Sequence, residues 1–188
     1  ISSGQDKKVI LWLPTWKELS SIGHFENEII GLSSKFEVIV KVHPLMVDDE
    51  PHKVSELKKL PFSRVITDCS DYMALMEKSD FVVADYGGPS FAAIYLNKNL
   101  VLLNVPGAKD DQLTGANSSE FILREKLGSI DVGEVDWDVM LSNETLWRGQ
   151  EFLRRELAKQ FFAPYYGFAS NVAAMAIKNA DLVVENSV

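Results

Sequence analysis

One cysteine in 188 residues, Cys69, leaves no partner for an internal disulfide and suits a reducing compartment rather than a cross-linked secreted scaffold. No apolar run approaches the roughly 20 residues needed to span a bilayer. The N-terminus also lacks the basic-then-apolar order of a secretory signal. Positive charge is scarce: 19 Lys and Arg stand against 27 Asp and Glu, and the net charge of −8 argues against a broad nucleic-acid-binding face. Acidity of this degree aids solubility and leaves room for a locally basic pocket. Internal repeats, a Gly-x-Gly-x-x-Gly fingerprint and a Walker lysine loop are all missing. His24 and His52 have no metal-ligand spacing with other candidates. Asp136-Trp137-Asp138 looks like an Asp-x-Asp metal site but reads better as acidic residues opening a helix. These absences point to a cytoplasmic globular protein, peripheral at the inner membrane face at most, with no metal and no cofactor.

What is present is a regular alternation. At 46% hydrophobic the chain can bury one good core but not two comfortable ones, so residues 1–188 are expected to form a single domain. A chain opening on Ile1 reads as a fragment of something longer. Apolar runs at Val9–Leu13, Glu37–Val42, Val65-Ile66, Phe81–Ala84 and Leu100–Leu103 read as strands buried on both faces. Between them lie helical spacings: Phe25, Ile29, Ile30 and Leu32; Pro51–Leu60; Tyr72, Leu75 and Met76; Ser90–Leu96. Two more helices are expected around Asn143–Gln160 and Ser170–Lys178, with a turn at Phe161–Gly167, while Asp48-Asp49-Glu50 and Asp110-Asp111 read as solvated loop charges. Strands joined by helices require parallel crossovers, so the fold class is α/β: a Rossmann-like parallel sheet with helices on both faces. Ligands of such sheets bind at the carboxyl ends of the strands, here the loops after Leu13, Val42, Ile66 and Ala84.

Three of those loops carry candidate chemistry. Asp85-Tyr86-Gly87-Gly88-Pro89-Ser90 joins the fourth strand to its helix. Its glycines allow close approach or positive φ, Pro89 suits the first helical turn, and the helix N-terminus offers N–H groups to phosphate oxygens. Asp85 would repel a diphosphate, so it is expected to bind loop N–H groups or an acceptor hydroxyl; Ser90 could cap the helix, touch phosphate, or do both. Equally, the segment could be a tight turn with no ligand. In Lys41-Val42-His43-Pro44, Lys41 and His43 share one side of the strand. A nearby diphosphate would favour protonated His43, which could then stabilise a departing nucleotide. In isolation, His43 reads more simply as a hydrogen-bonded strand end. In Pro14-Thr15-Trp16-Lys17, Thr15 and Lys17 could touch phosphate, whereas Ser20 or Ser21 fits a helix cap.

Taken in order, Leu13-Pro14-Thr15-Trp16-Lys17, Val40-Lys41-Val42-His43-Pro44, Asp71-Tyr72, Ser79-Asp80, Ala84-Asp85-Tyr86 with Phe91, and Gly167 with Ser170 resemble the C-terminal domain of the CDP-glycerol:poly(glycerophosphate) glycerophosphotransferase family. That family makes teichoic-acid and capsule-like polymers. The resemblance implies the C-terminal half of a GT-B fold, with the N-terminal acceptor domain absent from this chain. It implies a donor held by its diphosphate near His43 and the Asp85–Ser90 loop, and a polymer acceptor. Catalysis would need no bound metal, because cationic side chains and helix N-termini replace it. The chain departs from the family at Gly87-Gly88, where two serines are usual, and at Ala92, where an aspartate is usual. The glycine pair is closer to UDP-N-acetylglucosamine 2-epimerases, although the glutamates that follow it there are replaced here by Phe91 and Ala92. Three readings stay open: glycerol-phosphate transfer from CDP-glycerol, a UDP-sugar glycosyltransferase or 2-epimerase, and a nucleotide-binding module without catalysis. His43 is the candidate catalytic residue. Thr15, Lys17, Lys41, Asp85, Tyr86, Gly87, Gly88 and Ser90 are the candidate donor-binding residues.

Overall fold

The architecture comes from a computed structural model that describes residues 7–112, 114–115 and 117–185. Five strands, β1 (Val9–Leu13), β2 (Glu37–Lys41), β3 (Arg64–Ile66), β4 (Phe81–Ala84) and β5 (Asn99–Leu102), form one sheet in the order β3-β2-β1-β4-β5. Every pairing is parallel, with Leu11 at the centre opposite Ile39 on one side and Val82 on the other.

The strands read as unbroken apolar runs because both faces are covered. Alternate residues point to opposite faces. Ile10, Trp12, Val38, Val40, Phe81 and Val83 pack on one side against α1 (Glu26–Leu32) and α3 (Pro51–Leu57), through Ile29 and Leu57. Leu11, Leu13, Ile39, Val82, Leu100 and Leu102 pack on the other against α4 (Tyr72–Lys78) and α5 (Gly88–Tyr95), through Met76 and Ile94. Trp12 is fully buried and its indole N–H donates to Ser21 Oγ at 3.0 Å; truncating such a residue to alanine costs about 3–5 kcal/mol. Beyond β5 come α6 (Ser119–Leu127), α7 (Trp137–Ser142), α8 (Glu144–Phe161) and α9 (Ala169–Glu185). The long α8 spans both layers, placing Trp147 in the first core and Leu157 in the second.

Two helices depart from the sequence reading. Residues 48 and 49 belong to α2 (Pro44–Asp49), a short helix that starts directly after His43, with Pro44 in its first turn. Helix α6 follows Ser118 and stops before Gly128, whose φ of +78° ends the last turn. Ser20 and Ser21 do not cap α1: Ser20 Oγ accepts from the Ile22 N–H, and Ser21 Oγ takes the Trp12 indole. Asp136 does open α7, accepting from the N–H groups of Asp138 and Val139. The apolar stripe foreseen on the last helix is there, with Val172 partly buried but Phe168 and Met175 66% and 63% exposed. Among the described residues, no helix is long and apolar enough to cross a membrane.

Candidate functional site

In this strand order the sheet reverses its winding between β1 and β4, and the loops leaving those two strands diverge to open a crevice. Asp85, the first residue after β4, fastens the two loops together. Its carboxylate is 0% exposed and accepts the N–H of Thr15 (2.8 and 3.0 Å to its two oxygens), of Ser21 (2.7 Å) and of Tyr86 (2.7 Å). Burial pushes its carboxyl up to about 6, against the pull of those N–H groups. Asp85 therefore shapes the loop and presents no free oxygen to a ligand.

From this point the chain turns sharply. Gly87 has φ +100° and ψ −170°, a conformation essentially restricted to glycine. Gly88 then begins α5, and a Cβ added there would meet only the Tyr72 hydroxyl, at 3.9 Å. Behind the loop, Arg124 of α6 donates to the carbonyls of Asp85 and Leu103 and lays its guanidinium 3.8 Å from the centre of the Tyr86 ring. Tyr86 is buried by that contact. Glu120, one turn earlier on α6, accepts the Gly87 N–H at 2.9 Å. Burial raises the Glu120 carboxyl above its usual range.

The cleft in front of the loop has a volume of about 510 Å³. One wall is Thr15, Tyr86, Gly87 and Gly88; the opposite wall is Lys41, Val42, His43 and Pro44, with Cys69 to Tyr72 closing one end. Lys41 and His43 thus share the cleft with the glycine loop, as their common side of the strand foretold. Lys41 is only 6% exposed, and among the described residues its ammonium meets one hydrogen-bond partner, the Asp68 carbonyl at 2.6 Å. No described carboxylate lies within ion-pair distance; the Asp68 carboxylate acts on it only at longer range. A nearly buried cation with no counter-ion, facing a cleft, is a costly arrangement that an anionic ligand would relieve.

His43 is neutral in this state, with burial lowering its pKa. Its Nδ1 accepts the Leu45 N–H at 3.2 Å, so its proton resides on Nε2 and that nitrogen is the donor. The ring stacks on Trp16 at 5.7 Å and 10°, which fixes its plane.

Besides Asp85, two further candidates fall outside the cleft. Lys17, at φ +55°, lines a smaller neighbouring hollow of about 250 Å³, pairs with Asp49 at 3.4 Å and lies 4.0 Å over the Trp16 ring. Ser90 is 0% exposed, its hydroxyl is buried without a partner, and it lines neither hollow. It turns into the core rather than towards phosphate. The loop 69–72 and the pair Glu120 and Arg124 were not among the candidates. The strand-end rule pointed to the former, but no local signal marked the latter. Among the described residues no cluster of His, Cys, Asp and Glu could hold a metal ion.

No family model and no curated protein matches the sequence. Solved structures do match its fold. The wall teichoic acid polymerase TagF soaked with CDPG superposes with a TM-score of 0.63 at 16% identity, covering 100% of this chain and 45% of TagF. The glycosyltransferase SnogD from Streptomyces nogalater gives 0.55 at 12% identity, covering 93% of this chain and 45% of SnogD. OtsA in its apo form gives 0.51 at 8% identity, covering 82% and 41%. The chain spans less than half the length of each. The likeness is one of fold: the chain has a Rossmann-like parallel sheet of the GT-B type.

Proposed function

We propose that this chain binds the nucleotide-activated donor of a GT-B-type transferase, gripping the donor diphosphate between Lys41, His43 and the Gly87-Gly88 turn. The observation that carries this reading is Lys41: a cation 6% exposed, with a carbonyl as its one close partner, on a cleft large enough for a nucleotide. The diphosphate would give that charge its missing counter-ion. The start of α5 on the opposite wall adds the Gly88 N–H, since Pro89 has none and that of Ser90 goes to the Gly87 carbonyl.

The donor class that fits best is CDP-glycerol, on the ordered motifs shared with the glycerophosphotransferase family and on the fold of TagF. In the reaction, an acceptor hydroxyl oxygen attacks the phosphorus bearing glycerol. The phosphoanhydride bond breaks, and the nucleoside monophosphate leaves with the electron pair. A diphosphate beside His43 draws its pKa back up, and the charged ring then stabilises the departing oxygen. The proton of the acceptor hydroxyl goes to a base supplied by a second domain, which also contributes the polymer acceptor. Such an enzyme works in the cytoplasm, at the inner face of the membrane. The glycine pair, with Gly87 held at φ +100°, favours a second reading in which the donor is a UDP-sugar, because serine is strained at that turn.

Calorimetric titration of the chain with CDP-glycerol, CDP, UDP and UDP-N-acetylglucosamine tests both readings. CDP-glycerol and CDP are expected to bind, and Lys41→Met to weaken them by roughly 10- to 100-fold, the worth of one charge-assisted hydrogen bond. Preference for the uridine ligands would move the donor to the second reading. Unchanged affinity in Lys41→Met would overturn the site.

A further inference from the structure

The glycine turn has two sides. Gly87 lines the large cleft on one and the hollow of about 250 Å³ on the other, where Glu120, Thr114 and Lys17 also stand. Its N–H is spent on Glu120 Oε1 at 2.9 Å, although the donor reading needs that turn for phosphate oxygens. The other oxygen, Oε2, is buried and has no partner.

We infer that Glu120 is a placeholder: its carboxylate occupies the loop N–H while the cleft is empty, and an incoming phosphate displaces it into the smaller hollow. This rests on the donor reading and adds a coupling between the two hollows. One N–H cannot serve two anions at full strength, and a phosphate at the turn would repel a carboxylate held there. The two acids around the turn are held very differently. Asp85 accepts from the N–H groups of Thr15, Ser21 and Tyr86, whereas among the described residues the Glu120 carboxylate accepts from Gly87 alone. Arg124 attracts the Glu120 carboxylate by charge but gives it no hydrogen bond among the described residues, because its donors go to the carbonyls of Glu120, Asp85 and Leu103 and to Asn104 Oδ1. Moving Glu120 thus breaks one hydrogen bond and hydrates a dry oxygen, whereas moving Asp85 would undo the turn. On the far side of the turn, the half-exposed Lys17 ammonium, which pairs with Asp49 at 3.4 Å, offers the displaced carboxylate a new donor.

The test is titration of wild type, Glu120→Gln and Glu120→Ala with inorganic pyrophosphate, CDP and cytidine, with a thermal melt of each variant. Removing the competing charge should tighten pyrophosphate and CDP by about three- to tenfold and leave cytidine, which has no phosphate, unchanged. Pyrophosphate binding that is equal or weaker in variants melting like wild type overturns the placeholder. If Glu120→Ala fails to fold, the isosteric Glu120→Gln decides by itself. Wild type that binds neither pyrophosphate nor CDP brings down the donor reading and this inference together. Wild type that binds both and loses them in Lys41→Met, with Glu120→Gln unaltered, brings down the inference alone.

Discussion

The loops after β4 and β2 face each other across one cleft, yet they are built on opposite principles. Asp85 on the first is saturated by its own fold, through the backbone N–H groups of Thr15, Ser21 and Tyr86 and the Ser21 side chain. Lys41, the last residue of β2 before the second, is almost as deeply buried but has, among the described residues, a carbonyl as its one close partner. An ionised group that the fold has satisfied belongs to the architecture. One that the fold has desolvated without a close counter-ion is the kind of group that the proposed donor site would use. Burial alone cannot tell the two apart; the partners can.

The sharpest way to break this comparison is to delete each charge and measure folding. Asp85→Ala leaves the N–H groups of Thr15, Ser21 and Tyr86 without their acceptor. At about 1–3 kcal/mol for each buried unsatisfied group, the loss in urea unfolding should reach about 3 kcal/mol or more. Lys41→Met should cost nothing or stabilise, since it removes a desolvated charge and keeps the aliphatic stem. Equal losses in the two variants would erase the distinction.

A finer test compares adjacent glycines. Gly87→Ala must hold a side chain at φ +100° and should destabilise by about 1–3 kcal/mol. Gly88→Ala makes only an ordinary contact with the Tyr72 hydroxyl, so it should melt like wild type. Its methyl group faces the cleft end of α5, however, and should weaken CDP binding. Thermal melts and titrations of both variants check the pair, and normal CDP binding by Gly88→Ala would take the α5 N-terminus out of the site.

The smallest effect is a pH dependence. With its carboxyl raised to about 6, folded Asp85 keeps a proton that the unfolded chain, at the ordinary carboxylate value, releases. Its contribution to stability is therefore largest below about pH 4 and declines as pH rises through 6. Glu120 shifts in the same direction and adds to the trend. Wild type should accordingly gain stability relative to Asp85→Asn between pH 7 and pH 5, read from urea midpoints; a gain in the other direction would show that the N–H groups outweigh burial.

The sheet was legible in the sequence because strands covered on both faces must be apolar without interruption, as Ile10 to Leu13 and Val82 to Ala84 are. The position of the cleft followed from the strand-end rule, which also put Lys41 and His43 on one side. Legibility failed where side-chain direction depends on more than strand alternation. Lys17 lies past the end of β1 at positive φ, so alternation could not say which hollow it would face. Ser90 sits in the first turn of α5, where one face looks at solvent and the next into the core. Glu120 reaches Gly87 across 33 residues from a helix with only a modest apolar stripe, and nothing local announces such a contact.

Asp85 has one more consequence. By tying Thr15 and Ser21 to β4, it joins the two strands at the switch point through their loops as well as through the sheet. That double fastening makes the wall formed by Thr15 and the glycine turn one rigid piece, like the fixed jaw of a gauge. Any change in the width of the cleft then falls to the opposite wall, Lys41 to Pro44, which Asp85 does not tie down.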